Sequence, residues 1–138
     1  MADLPRIPAR VRVLLDSHAV LWATLDDDRL PRSVRDLIED RTTHVAISVA
    51  TTWELTMKAL AGRLRLPEPP ETYFDGLVRD FGYELLPIHQ RHVSALPELP
   101  SVHADPFDRM LVAQAVVEDI ELVTGDEYLR RYPVRTIW

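Results

Sequence analysis

Four carboxylates, Asp16, Glu54, Asp108 and Asp126, stand where side chains can do chemistry together. Each falls just after a segment that reads as a strand, or in the opening turns of one that reads as a helix. The segments are Val-Leu-Leu-Asp-Ser-His (13–18), Thr-Trp-Glu-Leu (52–55), His-Ala-Asp-Pro-Phe-Asp-Arg-Met-Leu-Val-Ala-Gln-Ala (103–115) and Leu-Val-Thr-Gly-Asp-Glu (122–127). In open parallel sheets, ligands bind outside the carboxyl ends of the strands, so side chains leaving that edge can converge. Carboxylates held within a few ångströms repel and raise one another's pKa, and a divalent cation relieves this. Magnesium takes oxygen ligands and keeps several waters. Such a centre activates water and stabilises charge on a phosphoryl group, which is the logic of a metal nuclease.

Each acid taken singly also has a structural use. Asp16 can cap the helix that follows it, and Glu54 can pair with Lys58 at i,i+4. Asp105-Pro106-Phe107-Asp108 has the form of a helix start, with Asp105 as N-cap, proline at the first helical position and a carboxylate at the third. Thr124-Gly125-Asp126-Glu127 has the form of a capping box. The neighbours divide in the same way. Lys58, the single lysine among arginines, can pair with Glu54 or sit beside a metal or phosphate. Arg109 can meet a substrate phosphate or hold Asp105. Ser17 and Thr124 can bond the carboxylates or metal waters, or cap helices. His18 and His103 invite a general-base reading, although packing or a supporting role is the commoner fate of a histidine. Trp22, Trp53 and Phe107 read most simply as core or interface.

The elements that position these groups alternate. Val11–Asp16 reads as a buried strand, followed by a helix over 17–24 and an acidic turn over 25–30. Pro31 opens a helix over 32–41, and 44–47 is a second strand. Ser48 caps a helix running to about Ala61, stopped by Gly62. After a proline-rich loop come a helix over 71–81, a strand over 83–86 and a short helix over 89–96. A loop over 97–105 precedes a buried helix over 106–118. The chain closes with a strand over 120–124, a short helix over 126–131 and a strand over 134–137. This order predicts one α/β domain over 11–138, with a mainly parallel sheet of four to five strands flanked by helices on both faces. Residues 1–10 read as an N-terminal tail.

Composition agrees. A chain of 138 residues suits one core, and 46% hydrophobic with 28% charged residues suits a folded, soluble protein. With no cysteine, disulfides, zinc fingers and thiol catalysis are excluded, and a cytoplasmic location fits. The longest apolar run, Ala19–Ala23, is too short to cross a membrane, and Met1–Arg10 lacks the apolar centre of a secretory signal. The formal charge of −6 comes from 16 basic and 22 acidic residues. A nucleic-acid binder carries a basic footprint; setting aside the four suspected site acids leaves 16 against 18, a near-neutral surface on which a local arginine patch has room.

Taken together, these segments resemble a PIN domain, and within that family the VapC-type toxins of bacterial toxin–antitoxin pairs. Leu14-Leu15-Asp16-Ser17-His18 is similar to the family's opening, with serine in place of the usual threonine. Trp53-Glu54-Leu55 with Lys58 and Gly62-Arg63-Leu64 looks like its second motif. The run His103–Ala115 is a long match, and Val123–Glu127 with Thr136-Ile137-Trp138 completes it. The likeness spans about residues 11–138. It implies a Mg2+- or Mn2+-dependent endoribonuclease in which Asp16, Glu54, Asp108 and Asp126 ligate metal and position the attacking water. Ser17, Lys58, Asp105, Arg109 and Thr124 would support them or meet the RNA. It also implies a homodimer and a VapB-like antitoxin covering the active site. Gly125 departs from the family's larger residue, and a looser loop around Asp126 is the expected cost.

Two other readings fit less well. A non-catalytic PIN-like interaction module has no use for all four acids. A magnesium-binding signalling receiver needs adjacent acids at the end of the first strand and an Asp after a middle strand; here Asp26–Asp28 come too late, and Leu85-Leu86-Pro87 offers no Asp. With four glycines and no phosphate-cradling loop, a nucleotide-binding kinase or dehydrogenase is disfavoured.

Overall fold

The computed structural model describes residues 11–138, so the expected tail over 1–10 lies outside the described residues. Among the described residues, five strands form one sheet: β1 (Val11–Leu15), β2 (Thr43–Ser48), β3 (Glu84–Leu86), β4 (Glu121–Val123) and β5 (Thr136–Ile137). Their order is β3-β2-β1-β4-β5 and every pairing is parallel. Six helices connect them: α1 (Ser17–Thr24), α2 (Arg32–Glu39), α3 (Val49–Leu60), α4 (Pro70–Arg79), α5 (Gln90–Ala95) and α6 (Pro106–Glu118). Among the described residues, no helix is long and apolar enough to cross a membrane.

The alternation of β1 builds the two cores. Val13 and Leu15 face a layer made with Val45, Ile47 and Val123 of the sheet and with Val20, Val34, Ile38, Tyr73 and Leu77 of α1, α2 and α4. Leu14 points the other way, into Ala46, Leu122, Leu111, Val112 and Ala115, the last three from α6. This pleat fixes the register of β1, because a slip of one residue would turn each of its core side chains to the wrong layer. Truncating fully buried Leu14 to alanine would cost about 2–5 kcal/mol.

Local signals set most boundaries. The Asp105 carboxylate accepts from the amides of Phe107 and Asp108 at 2.8 and 3.1 Å, and Pro106 occupies the first turn of α6. Ser48 caps α3 by accepting from the Ala50 amide at 2.9 Å. Gly62, at φ 72°, takes the left-handed conformation just past α3.

The segment after β4 departs from expectation. No α-helix forms over 126–131; only Leu129–Arg131 coils, as a 3-10 turn. The Thr124 hydroxyl accepts from the Asp126 amide at 3.0 Å and Asp126 accepts from the Tyr128 amide at 2.8 Å, so two short side-chain turns replace the capping box. Pro133 closely follows and cannot donate to a helix, and the chain must return at once to the sheet as β5. A second 3-10 turn, Leu96–Glu98, occupies the start of the expected loop over 97–105.

Candidate active site

The strand order reverses direction at β1: the chain steps outward through β2 and β3, then crosses back to place β4 on the other side of β1. The crevice at the carboxyl ends of β1 and β4 is therefore the topological switch point, where such sheets bind ligands. Asp16 follows β1 there, its amide donating to the Val123 carbonyl at 3.1 Å. Thr124, Gly125 and Asp126 follow β4 directly. The other two acids arrive on helices: Glu54 from α3, and Asp108 from the first turn of α6, where helical side chains lean back toward the N-terminus.

The four acids are linked pairwise, Asp16 to Asp126, Asp126 to Asp108 and Asp108 to Glu54. Burial raises the pKa of the Asp16 carboxyl, an effect opposed by the Thr124 hydroxyl, the Ala19 amide and His18 and reinforced by the charge of Asp126. Burial, followed by the charges of Asp105, Glu54 and Asp126, pushes Asp108 up to about 6. Asp126 thus couples to both Asp16 and Asp108, and Asp108 to Glu54. Glu54 is itself buried and meets Lys58 at 3.6 Å.

The tightest set of potential ligand atoms among the described residues is a different one: His103, Asp105 and Asp108 lie within 4.8 Å of one another. His103 Nε2 sits 3.1 Å from Asp108, and Tyr132 holds the His103 backbone, accepting from its amide at 3.0 Å and donating to its carbonyl at 3.2 Å. Because one Asp105 oxygen is already taken by two backbone amides, this trio reads as support for Asp108. The oxygen-only donor set of the four acids suits a hard divalent cation that retains water, and the raised carboxyls of Asp16 and Asp108 mark a place where such a charge would be welcome.

Arg109 has a structural role, with partners other than the Asp105 carboxylate. Its guanidinium donates to the carbonyls of Pro100 and Leu96 at 3.0 and 3.2 Å and to the Tyr132 hydroxyl at 3.3 Å. It contacts Asp105 through its backbone, the Arg109 amide donating to the Asp105 carbonyl at 3.0 Å. Its side chain therefore ties down the loop that carries His103, adding a second donor to carbonyls that already accept from the Leu99 and Val102 amides. Thr124 is fully buried and serves both Asp126 and Asp16. Ser17 opens α1 with no side-chain hydrogen bond among the described residues. Gly125 has a steric use that the sequence did not suggest: a Cβ there would lie 2.5 Å from the Trp138 ring, so the glycine makes room for the indole to seat on this loop.

A cavity of about 450 Å³ opens beside the acids, lined by Asp16, His18, Trp22, Arg29, Gly125, Asp126 and Trp138. Arg29 reaches it from the acidic turn, a loop placement with no local sequence signal. A cavity of similar size near His44 and Tyr83 lies at the opposite, amino-terminal edge of the sheet and holds none of the four acids. Trp53 is mostly exposed and meets Phe107 edge-on at 4.9 Å.

This sheet order with acids at its switch point defines a PIN-type α/β domain, and comparison with known proteins agrees. The PIN domain family matches residues 13–134, and the chain belongs to that family. Its VapC-type membership follows from 32% identity over 133 residues to Ribonuclease VapC22 of Mycobacterium tuberculosis, covering 91% of this chain and 98% of the relative. Solved structures share the fold at 17% identity. VapBC2 from Rickettsia felis, bound to a DNA fragment from its promoter, superposes with a TM-score of 0.68 over 93% of this chain and 99% of that one. DNA-bound VapBC from Salmonella typhimurium gives 0.67 over 92% and 97%.

Proposed function

We propose that this chain is the toxin of a toxin–antitoxin pair, an endoribonuclease that hydrolyses RNA phosphodiester bonds with Mg2+ or Mn2+. The observation that carries the reading is the placement of Asp16 and Asp126 just past the adjacent strands β1 and β4 at the switch point, with Asp108 near Asp126 and Glu54. A non-catalytic binding module would leave the buried Asp16 carboxyl and the half-buried Asp108 carboxyl, both destabilised, without a use.

A bound divalent ion would supply the charge that activates a water and neutralises the phosphoryl oxygens. The protein's own groups divide the remaining work. Asp16 and Asp126, on the loops after β1 and β4, fix one side of the opening; Asp108 and Glu54 fix the other. Asp108, backed by His103 Nε2 at 3.1 Å, would hold the ion together with the other three acids. As the water oxygen bonds phosphorus, the P–O bond to the departing nucleotide breaks. Lys58, beside Glu54 and partly exposed, places a positive charge at the edge where RNA phosphates approach. Arg109 keeps the His103 loop in place.

The relative's name, Ribonuclease VapC22, supports RNA as the substrate, and the VapBC neighbours support a VapB-like antitoxin over the site. A homodimer and a cytoplasmic setting accompany this reading. The test uses purified, antitoxin-free protein and total RNA. Cleavage should require Mg2+ or Mn2+, stop with a chelator and vanish in Asp108→Asn; metal-independent cutting, or none, would refute it.

A further inference from the structure

The cavity at the switch point shares Asp16 and Asp126 with the acid cluster, but its remaining walls are three rings, His18, Trp22 and Trp138, with the Arg29 guanidinium and Gly125. Trp22 is the centre of the group. His18 stacks on it at 5.4 Å with the rings 30° apart, Trp138 lies against it at 5.8 Å, and the Arg29 guanidinium sits 4.8 Å from its ring centre. Arg29 is fixed in that pose by Asp27, which it grips at 2.8 and 3.1 Å. Its charge is thereby neutralised, and what it offers the cavity is a planar surface more than a cation. Trp138 is seated by the absence of a side chain at Gly125 and keeps 36% of its surface exposed. Rings held this way, with His18 and Trp138 still open to solvent, form a platform.

Resting on the ribonuclease reading, we infer that this cavity is a nucleobase subsite, which takes the base of a nucleotide next to the scissile phosphate and stacks it against Trp138 and His18. Single-stranded RNA is recognised by stacking splayed bases on aromatic rings and guanidinium planes. The location selects the occupant. Whatever strand presents a phosphate to Asp16 and Asp126 runs a neighbouring nucleotide past this opening. An acidic peptide would meet the two carboxylates and no free cation, since Asp27 already occupies Arg29. A cavity of about 450 Å³ falls in the range of small-ligand sites. The subsite contributes binding and register of the RNA; the bond-breaking chemistry stays with the four acids.

The experiment is a coupling cycle on the full chain. A cut made by the native protein is mapped in total RNA, and an oligoribonucleotide spanning it is prepared with a single abasic site at each position in turn. At one position next to the cut, loss of the base should lower kcat/KM of the native protein about tenfold, within the range that one stacked base supplies. Trp138→Ala should lose about as much on the intact oligonucleotide, and then be indifferent to the abasic site at that position alone. Gly125→Ala, which displaces the indole without deleting it, should give the same pattern and covers the case in which Trp138→Ala does not fold. Losses that multiply independently at every position would overturn the inference while leaving the ribonuclease reading intact. So would unchanged RNA cleavage with weakened antitoxin binding, which would give the cavity to the protein partner. Absence of any cut by the native protein would instead sink the ribonuclease reading, and this inference with it.

Discussion

The Ser48 hydroxyl donates to the Gln114 side-chain carbonyl in the protein interior, and through this bond the start of α3 is tied to the middle of α6. Gln114 also donates to the Pro87 carbonyl at 3.1 Å. Glu54 and Asp108 ride on these two helices, so their separation depends on a buried polar bond that touches neither. Replacing Gln114 with leucine leaves the Ser48 hydroxyl and the Pro87 carbonyl without this partner, at a cost of about 1–3 kcal/mol. The melting temperature should fall by roughly 5–10 °C, and RNA cleavage should fall further than the lost folded fraction explains. Circular dichroism melts and cleavage rates at a temperature where both proteins are folded check this; an unchanged melt would refute it.

Asp16→Asn and Asp108→Asn should each lower cleavage by at least about a hundredfold, because removing a preorganised charge at the reacting centre costs that much or more. Both variants should fold and lose affinity for Mn2+, measured by calorimetry. Retention of cleavage in both would remove the mechanism proposed above.

The Asp108 carboxyl sets a pH dependence of the metal-free fold. Its pKa is raised to about 6 in the folded protein against 3.8 in an unperturbed chain. Below about pH 4 both states hold the proton and the group contributes nothing. Between about pH 4 and 6 the folded protein keeps a proton that the unfolded chain releases, so stability falls as pH rises. Above about pH 6 the penalty is complete, on the order of 2 kcal/mol once solvent screening of this partly exposed carboxyl is allowed for. Asp16, raised by burial, adds in the same direction. With chelator present, Asp108→Asn should therefore be more stable than the native protein at about pH 7.5 and lose that advantage near pH 4. Added Mg2+ should raise the native melting temperature at about pH 7.5 and barely at about pH 4.5. A native melt independent of both pH and Mg2+ would contradict this.

Arg109 gives a test of its two readings. A phosphate contact predicts that Arg109→Met weakens RNA binding and reduces its salt dependence by about one charge. The bonds to Leu96, Pro100 and Tyr132 predict instead a loss of roughly 1–3 kcal/mol of stability, faster hydrogen exchange over 96–104, and a salt slope that does not move. Binding titrations at several salt concentrations separate the two.

What could be read along the chain were features set by a few neighbouring residues. The unbroken apolar run of Val13, Leu14 and Leu15 marks a strand with two covered faces. Asp105-Pro106 starts α6 and Gly62 ends α3, because caps and left-handed turns act within one turn of helix. The placement of four acids at the ends of such elements follows from the same local signals. What only the tertiary structure decided depends on partners far apart in sequence. The crossing from β3 back to β4 puts Asp126 beside Asp16. Folding of the 96–104 loop against α6 brings His103 onto Asp108 and turns Arg109 toward carbonyls. The return of the chain's last residue to the loop after β4 makes Gly125 a seat for Trp138. The expected helix over 126–131 gave way for the same reason, since pairing β5 with β4 required the chain to turn before a helix could form.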